Sequence, residues 1–260
     1  MRFAFFFGVK EVYRIAKNKN KKIFPVFQNR YNKAVKRLKS AIKKKEIGNL
    51  RIVNVRVRWC RPQRYYNLSK WRGTFSHDGG ALTNQGIHHI DVLRYLFGEV
   101  KNVNCNMKTL GAKIEVEDTA MALIEFENGV VGTLEITTAA RPKDYEASIS
   151  VIGSKGLAQI GGLAINKLEI FSPKPSETKK FSENIPDAYG FGHFDLYNDV
   201  ALDLNRIKKF PVSFKDCYKT IQFLNSFYSS NEKKKTLNVK KVVDSKLLGK
   251  KNEKISKLYR

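Results

Sequence analysis

The sequence predicts an α+β fold: a large, mostly antiparallel sheet with helices on one face, preceded by one strand–helix unit of a parallel sheet. Three observations predict it. From Leu50 onward, apolar and polar residues alternate in several short segments, as they do in strands with one buried face. Before Leu50, a short apolar segment lies between two helical patterns. Within residues 78–98, a glycine turn opens into a helical pattern.

The N-terminal part predicts two helices with a strand between them. Val12–Lys19 has a helical pattern, and Lys22–Phe27 is short and apolar, as a buried strand would be. Tyr31–Lys45 follows as an amphipathic helix, with Ala34 and Leu38 among the residues on its apolar side. A strand between two helices is typical of a parallel α/β sheet.

The rest of the chain is predicted to contain most of the strands. They are Arg51–Trp59, Val100–Leu110, Thr119–Phe126, Val130–Thr138, Ala147–Ile152, Leu157–Ile160 and Lys167–Phe171. Asn128-Gly129 is a hairpin signal between two of them. Tyr197–Asn205 and Tyr218–Ser229 are predicted as late helices, and from Asn231 the chain is rich in lysine with little to bury. One face of this sheet has no predicted helix, so it must be covered or paired.

The net charge of +25 is concentrated at the two ends of the chain. Residues 1–50 contain 15 Lys/Arg and 2 Asp/Glu, and residues 233–260 contain 11 and 2, whereas residues 51–232 contain 23 and 20. A nucleic-acid-binding surface combines such charge with aromatic side chains that stack on bases, and neither basic end has that composition. The sequence therefore predicts no nucleic-acid partner.

Cysteine usage and hydropathy predict the compartment. Cys60, Cys105 and Cys217 are far apart and match neither a metal-binding nor a disulfide spacing, which is typical of a reducing cytoplasm. No apolar run approaches the roughly 20 residues needed to span a bilayer. The apolar residues 1–9 are followed by charged residues without a small-residue cleavage site. We therefore predict a cytoplasmic protein with no membrane partner and no metal site.

The helical segment within residues 78–98 carries the main candidate for chemistry. Four polar residues are spaced four, three and four positions apart, which places them on one helical face: Asn84, His88, Asp91 and Tyr95. An amide, an imidazole and a carboxylate on one face suit hydrogen bonding to a polyol and proton exchange with one of its hydroxyls. The same pattern fits a buried polar cluster that only holds the helix in place.

This segment, Asn84-x-Gly86-x-His88-x-x-Asp91 after a glycine pair, resembles the signature helix of the Gfo/Idh/MocA oxidoreductases. The similarity covers nearly the whole chain. Other segments that stand in the family's order are Phe27–Asn32, Trp71–Thr74, Ala140–Glu146 and Ile152–Gly156. Asn84 in place of the commoner aspartate resembles members that act on nucleotide-linked amino sugars.

The resemblance implies reversible hydride transfer between a sugar hydroxyl and a nicotinamide, either NAD or NADP. It implies His88 as the catalytic acid/base or electrostatic helper, and Asn84 as a catalytic hydrogen-bond donor. The residues implied to bind substrate are Asn29, Arg30, Tyr31, Arg72 and Asp91. Those implied to lie beside the cofactor are Gln28 and Gly86, the glycine because it leaves room for a ligand.

For some histidines and arginines, a structural role is an alternative to a role in binding or catalysis. For Arg30 and Arg72, the alternative is a surface or interdomain salt bridge. His89 faces away from the predicted polar face and is interpreted as structural. His193 has Tyr197 one helical turn away and could line the site, but we expect a packing role.

The family's pyrophosphate-binding motif, G-x-G-x-x-G, does not occur in this sequence, and neither does its Glu-Lys-Pro segment. We therefore expect an N-terminally truncated member of the family. On this interpretation, residues 1–48 are the last part of a Rossmann dinucleotide-binding domain. Residues 49–240 are the substrate and oligomerisation domain, and residues 241–260 are a basic tail.

Three functions follow from these observations. The first is an NAD(P)-dependent oxidoreductase that acts on a sugar or nucleotide sugar, although the isolated chain is expected to be inactive. The second is a non-catalytic remnant that folds and oligomerises but lacks the cofactor site. The third is a basic binding protein that uses its tails. Whichever function holds, the open sheet face predicts a homo-oligomer.

Overall fold

The computed structural model describes residues 6–185, 189–242 and 244–259. Within them, the strands are β1 (Leu50–Arg58), β2 (Val100–Lys108), β3 (Thr119–Phe126), β4 (Val131–Thr137), β5 (Glu146–Gly153), β6 (Leu157–Gly161), β7 (Lys167–Phe171) and β8 (Leu237–Asn238). They form one sheet in the order β7-β6-β5-β1-β4-β3-β2-β8. Only the central β1–β4 pair is parallel. The predicted α+β class and the mostly antiparallel sheet are confirmed.

Eight α-helices are described, and those that pack on the sheet cover one of its faces. They are α1 (Phe6–Asn18), α2 (Lys33–Lys43), α3 (Gln63–Asn67), α4 (Ile87–Phe97), α5 (Glu177–Lys180), α6 (Gly192–Leu204), α7 (Phe214–Lys233) and α8 (Glu253–Ser256). The longest, α7, packs on β2 and contacts α4, while α2 packs on β6 and β7. Each late helix begins several residues earlier than predicted. Across the described ranges, no helix has both the length and the apolar character needed to cross a membrane.

The period-two pattern of the strands explains how the sheet divides its side chains. Along β3, Ala120, Ala122, Ile124 and Phe126 are buried under the helices, and the residues between them face the other way. The strand register places buried residues opposite buried residues, since Ala122 pairs with the buried Leu134 of β4. The same sheet face is therefore buried in both strands. The hydrophobic core therefore lies between one sheet face and the helices.

The other sheet face is exposed and partly apolar. Ile52 of β1 pairs with Val131 of β4 and Ile152 of β5, so the three side chains share one face. Met121 and Leu123 of β3 lie on the same face, and all five are exposed. Among the described residues, no helix packs on these side chains. The predicted uncovered face is therefore present.

The predicted strand at Lys22–Phe27 is wrong. These residues form no strand in the structure; they run as an irregular segment between α1 and a 3₁₀ turn, Gln28–Tyr31. A strand needs a hydrogen-bonded neighbour, and the described residues provide none here. The N-terminal part therefore contains the two predicted helices without the βα unit of a parallel sheet.

The prediction that residues after Asn231 bury little is also wrong. Leu248 is fully buried in the main core, and Val239 lies in it as well. Ser245 donates its hydroxyl to Glu232 of α7, and the Gly249 N–H donates to the Phe75 carbonyl. The lysines of this segment stay at the surface while its few apolar residues pack, so composition alone concealed the packing.

Candidate functional site

The turn before α4 consists of glycines in a backbone conformation that other residues rarely adopt. Gly79 and Gly80 have φ values of +81° and +82°, in the left-handed region that favours glycine. A Cβ at Gly80 would also overlap the carboxylate of Glu117. The turn is therefore pressed against Glu117, which lies just before β3.

Glu117 holds this turn from inside the protein. Its backbone carbonyl accepts the Ala81 N–H at 2.9 Å, and its Oε1 accepts the Leu82 N–H at 3.0 Å. The Tyr228 hydroxyl lies 2.7 Å from the same Oε1 and also hydrogen-bonds the Gly79 carbonyl. Burial raises the pKa of Glu117 to about 8. Glu117 Oε2 has no hydrogen-bond partner among the described residues, so the neutral carboxyl group is favoured in this buried position.

The stability of the protein should therefore depend on pH through Glu117. Its pKa in the folded state, about 8, is above the ordinary value of 4.5, so the folded state keeps a proton that the unfolded state loses. The free energy of unfolding should fall as pH rises between those two values, and this contribution should be absent above about pH 8. Glu117→Gln cannot titrate, so the stability of the wild type relative to this variant should decrease across the interval.

Urea unfolding at pH values from about 5 to 9 measures this difference. Glu253→Gln, at an exposed position, is the control and should follow the wild-type profile. A constant difference between wild type and Glu117→Gln over the whole interval would contradict a buried neutral carboxyl.

The predicted single helical face from Asn84 to Tyr95 is wrong at its N-terminal end. Ala81–Gln85 forms a π turn, in which the Gly86 N–H donates to the Ala81 carbonyl at 2.8 Å, and α4 begins only at Ile87. A Cβ at Gly86 would lie 2.5 Å from Ile136 Cδ1 of β4. Gly86 is therefore required for close packing against the sheet, and its place beside the cofactor stays a prediction.

His88 lies at the start of α4 with an unsatisfied ring nitrogen. Its Nδ1 is enclosed and has no hydrogen-bond partner among the described residues. Burial, together with the nearby His193 of α6, lowers the pKa of His88 to about 4. The imidazole is therefore neutral at neutral pH and can accept a hydrogen bond or a proton at Nδ1.

His89 differs from its neighbour, as predicted. It is fully buried, and its ring packs edge-on against Trp59 with centroids 5.5 Å apart. Burial lowers its pKa to about 3. Its environment is the core, whereas the ring of His88 is partly exposed.

Arg30 and Asp91 bind each other. Arg30 donates from Nε and Nη2 to the two Asp91 oxygens, both at 2.6 Å, and from Nη1 to Asp216 Oδ2 at 3.0 Å. Thr220 adds a third hydrogen bond to Asp91. The Asp91 side chain is 0% exposed and that of Arg30 is 8% exposed. The pair is a buried ion pair, unlike the surface or interdomain salt bridge given as the alternative for Arg30, and it joins the 3₁₀ turn to α4 and α7. Substrate binding by Arg30 and Asp91 stays a prediction.

The remaining predicted residues of the 3₁₀ turn lie between α4 and α6. Gln28 and Asn29 are buried, and Gln28 Oε1 has no hydrogen-bond partner among the described residues. A Cβ at Gly192, the first residue of α6, would overlap the Gln28 carbonyl. Tyr31 donates its hydroxyl to Asp199 of α6 at 2.8 Å. The turn and α6 are thus in close contact, and α6 places His193 beside His88.

A second polar cluster adjoins the π turn. Asn84 donates to the Asp78 carboxylate, whose other oxygen accepts the Gly73 N–H at 2.6 Å. Gln85, next to Asn84, donates to the Tyr65 hydroxyl at 3.2 Å. The Asn84 amide is therefore positioned by Asp78, and it does not share a helical turn with His88.

Arg72 is stacked between aromatic rings without a carboxylate partner. Its guanidinium carbon lies 4.2 Å from the centroid of Tyr65 and 4.6 Å from that of Trp71, and it donates to the Tyr65 hydroxyl. Its Nε is enclosed and unpaired within the described part of the chain. Unlike Arg30, Arg72 is therefore available to an anion.

The 3₁₀ turn that carries Gln28, Asn29 and Tyr31 contacts α4, and the Arg30–Asp91 pair holds the two segments together. His193 lies close enough to His88 to lower its pKa, although 105 positions separate them in the sequence. Glu117 was not identified at all. Its position in the chain carries no local sign that a glycine turn packs on its carboxyl group.

Comparison with known proteins places these features in context. The family model of the GFO/IDH/MocA C-terminal domain matches residues 35–159. The chain is similar to myo-inositol 2-dehydrogenase of Thermotoga maritima, with 28% identity over 141 residues, 52% of this chain and 39% of that protein. It is similar to levoglucosan dehydrogenase of Pseudarthrobacter phenanthrenivorans, with 30% identity over 173 residues, 56% of this chain and 44% of that protein. The chain therefore spans less than half the length of these two relatives.

The fold also matches a solved structure over most of its length. The WlbA dehydrogenase from Bordetella pertussis, in complex with NADH and UDP-GlcNAcA, superposes with a TM-score of 0.85 and 30% identity. The match covers 90% of this chain and 69% of that one. The sequence resemblance and the predicted fold are both confirmed by these similarities.

Proposed function

We propose that this chain, which belongs to the Gfo/Idh/MocA family, forms the substrate-binding part of a nicotinamide-dependent sugar dehydrogenase. One observation carries the proposal. His88 presents an enclosed, neutral and unpartnered Nδ1 beside His193, at the start of the helix that also carries the family's motif. A buried polar atom without a partner costs free energy, and a substrate hydroxyl would satisfy it.

The chemistry of a sugar hydroxyl fits this arrangement. Oxidation of a carbinol removes a hydride from carbon and a proton from oxygen, and a bound nicotinamide supplies the hydride acceptor. In the proposed mechanism, His88 accepts the hydroxyl proton at Nδ1 and returns it in the reverse direction. The core packing of α4 fixes the position of this ring.

A cofactor fits one further residue of the chain. The Gln28 Oε1 atom is buried and unpartnered in the described structure, and its turn contacts both α4 and α6. An amide oxygen in that position can accept a hydrogen bond from a carboxamide or hydroxyl group of NAD or NADP. Gln28 and Gly86 therefore keep their proposed places beside the cofactor.

The proposed substrate is a sugar, including a nucleotide-linked amino sugar. WlbA, which shares 30% identity with this chain, is described in complex with UDP-GlcNAcA. Arg72 is stacked on Tyr65 and forms no ion pair within 4 Å among the described residues, so it would attract the diphosphate of such a substrate. Asn29, Tyr31 and Asn84 are proposed to line the sugar-binding side.

A pair of enzyme preparations tests this function. The first is the isolated chain, and the second, the extended chain, also includes the coding region upstream of it. We expect calorimetry to show NAD binding by the isolated chain weaker than micromolar, because its sequence lacks the glycine loop that holds pyrophosphate. The extended chain should bind NAD and form reduced nicotinamide from UDP-GlcNAcA or from a simple sugar such as myo-inositol.

A folded extended chain that binds sugar without any turnover would support the non-catalytic alternative. We also propose a cytoplasmic location, supported by three free cysteines in the described structure. The proposed division into residues 1–48, 49–240 and 241–260 stays a prediction.

The exposed sheet face is proposed to join copies of this chain. It carries a row of apolar side chains that includes Leu123, 64% exposed, and Val131. Exposed apolar patches of this kind mark association sites. We expect dimers or tetramers by sedimentation at tens of micromolar, roughly the concentration at which a standard interface is saturated.

Leu123→Lys combined with Val131→Lys should shift the protein to monomers, since two charges would be buried without partners. Ile207→Lys is the control, because Ile207 is also exposed, at 72%, but lies after α6 and outside the sheet. A wild type that sediments as a monomer, or a control that dissociates equally, would contradict the proposed interface.

A further inference from the structure

A basic groove lies beyond the carboxyl end of β1, next to the candidate site. The groove has a volume of about 690 Å³ and is lined by residues that include Arg61, Arg64, Tyr65, Lys143 and Asp144. Its two walls are joined where the Cys60 N–H donates to Asp144 Oδ1 at 2.6 Å. This volume lies within the usual range for small-molecule sites.

The charge of the groove is only partly neutralised. Arg61 forms an ion pair with Asp144 at 2.8 Å. Arg64 and Lys143 are exposed, and neither forms an ion pair within the described residues. The named lining groups therefore leave two positive charges without a counter-charge, which favours an anionic ligand.

Tyr65 connects the groove to the candidate site. Its ring lies beneath two guanidinium groups, with centroid distances of 4.2 Å to Arg72 and 5.6 Å to Arg61. Arg61 also donates to Gln85 Oε1 at 3.4 Å, and Gln85 donates to the Tyr65 hydroxyl at 3.2 Å. Arg61 and Arg72 therefore both contact Tyr65, so the groove and the candidate site share this side chain.

The orientation of these donors favours phosphate. Arg61 is fixed by Asp144, by the Cys60 carbonyl and by Gln85, so its fork of donors is already ordered before a ligand arrives. Arg72 has an enclosed Nε without a partner in the described structure. Ordered guanidinium groups bind phosphate oxygens through charge-assisted hydrogen bonds.

We propose that this groove binds the phosphate or diphosphate group of the substrate, while the sugar extends along Gln85 and Asn84 toward His88. The proposal rests on the proposed function for the identity of the reacting sugar. Two sources share this chemistry: a nucleoside diphosphate linked to the sugar, or a phosphate ester on the sugar itself. The groove thereby selects phosphorylated substrates over free sugars.

Calorimetry on the isolated chain in a phosphate-free buffer of low ionic strength tests the groove. The ligands are inorganic diphosphate, UDP and glucose 6-phosphate. The test variant combines Arg64→Gln and Lys143→Gln, which remove two exposed charges and keep long side chains. We expect it to bind diphosphate at least about tenfold more weakly, since one charge-assisted hydrogen bond contributes about that factor.

The control variant combines Arg51→Gln and Lys155→Gln. Both residues are exposed and lie toward the opposite end of β1. The control therefore loses the same net charge as the test variant while the groove stays unchanged. The control should bind diphosphate within about twofold of wild type. Tighter binding of UDP than of glucose 6-phosphate identifies the nucleotide source, and the reverse order identifies the sugar phosphate.

The proposal is overturned if wild type binds none of the three ligands, or if both variants weaken binding equally. Its failure is distinct from that of the proposed function. If the extended chain oxidises a free sugar but shows no groove-dependent anion binding, the proposed function holds and the groove proposal fails. If anions bind in the groove but the extended chain transfers no hydride, the groove proposal holds and the proposed function fails.

Discussion

Replacing His88 with asparagine should lower the turnover of the extended chain about a hundredfold or more, which is the usual contribution of a general acid–base group. Cofactor affinity should change little. Asparagine keeps a polar side chain of smaller size at a partly exposed position, so the fold should persist. What it removes is the neutral Nδ1 that is enclosed and unpartnered in the described structure.

The pH profile provides a second measurement of the same role. Burial and His193 lower the pKa of His88 to about 4 in the free chain. A bound anionic substrate would raise that pKa toward neutrality by favouring the charged imidazole. The pH profile of turnover should therefore show the titration of one group in the wild type, and this titration should be absent from the profile of His88→Asn.

His89→Asn is the matched control. Its ring is fully buried against Trp59, so the substitution should destabilise the protein without removing a group that contacts substrate. The two variants should thus differ in kind, with loss of turnover in a stable protein for His88 and loss of stability for His89. If His88→Asn turns over near the wild-type rate, or if both lose activity only in proportion to folded protein, His88 is not catalytic.

Replacing Asp91 with alanine should lower the free energy of unfolding by about 3–5 kcal/mol, because it leaves the buried Arg30 guanidinium without its main partner. Arg30 would keep only Asp216, which is 29% exposed and lies 3.0 Å from Nη1. The two short hydrogen bonds to Asp91 and the bond from Thr220 would be lost together. Urea unfolding at constant pH measures the change.

Two comparisons separate this explanation from a general effect of removing a carboxylate. Asp195→Ala breaks an ion pair with Lys36 in which both side chains are about half exposed, and it should cost at most about 1 kcal/mol. Combining Asp91→Ala with Arg30→Met should recover part of the loss, since no buried charge then lacks a partner. A double variant less stable than Asp91→Ala alone would argue against the unpaired charge as the cause.

The Arg30–Asp91 pair also gives two residues of the motif segments a positioning role. Asp91 lies one helical turn after His88 on α4, and Arg30 lies two positions after Gln28 on the 3₁₀ turn. Fixing these two residues to each other sets the relative position of His88 and Gln28. A family motif can therefore contain residues that position the site.

Local patterns predicted the elements well. The strands after Leu50 could be predicted because each strand has its own alternation of buried and exposed residues. In β3 this alternation holds at every position. The helix over residues 87–97 was found for the same reason, from its apolar spacing. His88 and Gln28 were identified from motif resemblance, and the structure leaves a ring nitrogen of one and the amide oxygen of the other without a partner among the described residues.

Failures occurred where a distant segment decides the outcome. The segment Lys22–Phe27 has the composition of a strand but no neighbouring strand to bond with in the described structure. Leu248 follows a lysine-rich stretch, and it is buried because the chain folds back over the turn at Gly79. Neither result is visible from residues close in sequence.

The sequence by itself determined the sheet-forming segments, the helix that carries His88, and the family motifs, because each depends on residues within a few positions of one another. Only the tertiary structure decided that Arg30 pairs with Asp91 across 61 positions, that Glu117 is buried against Gly80, and that His193 lies close to His88. Burial and partner choice set the charge and availability of each group, and both depend on which distant segments meet.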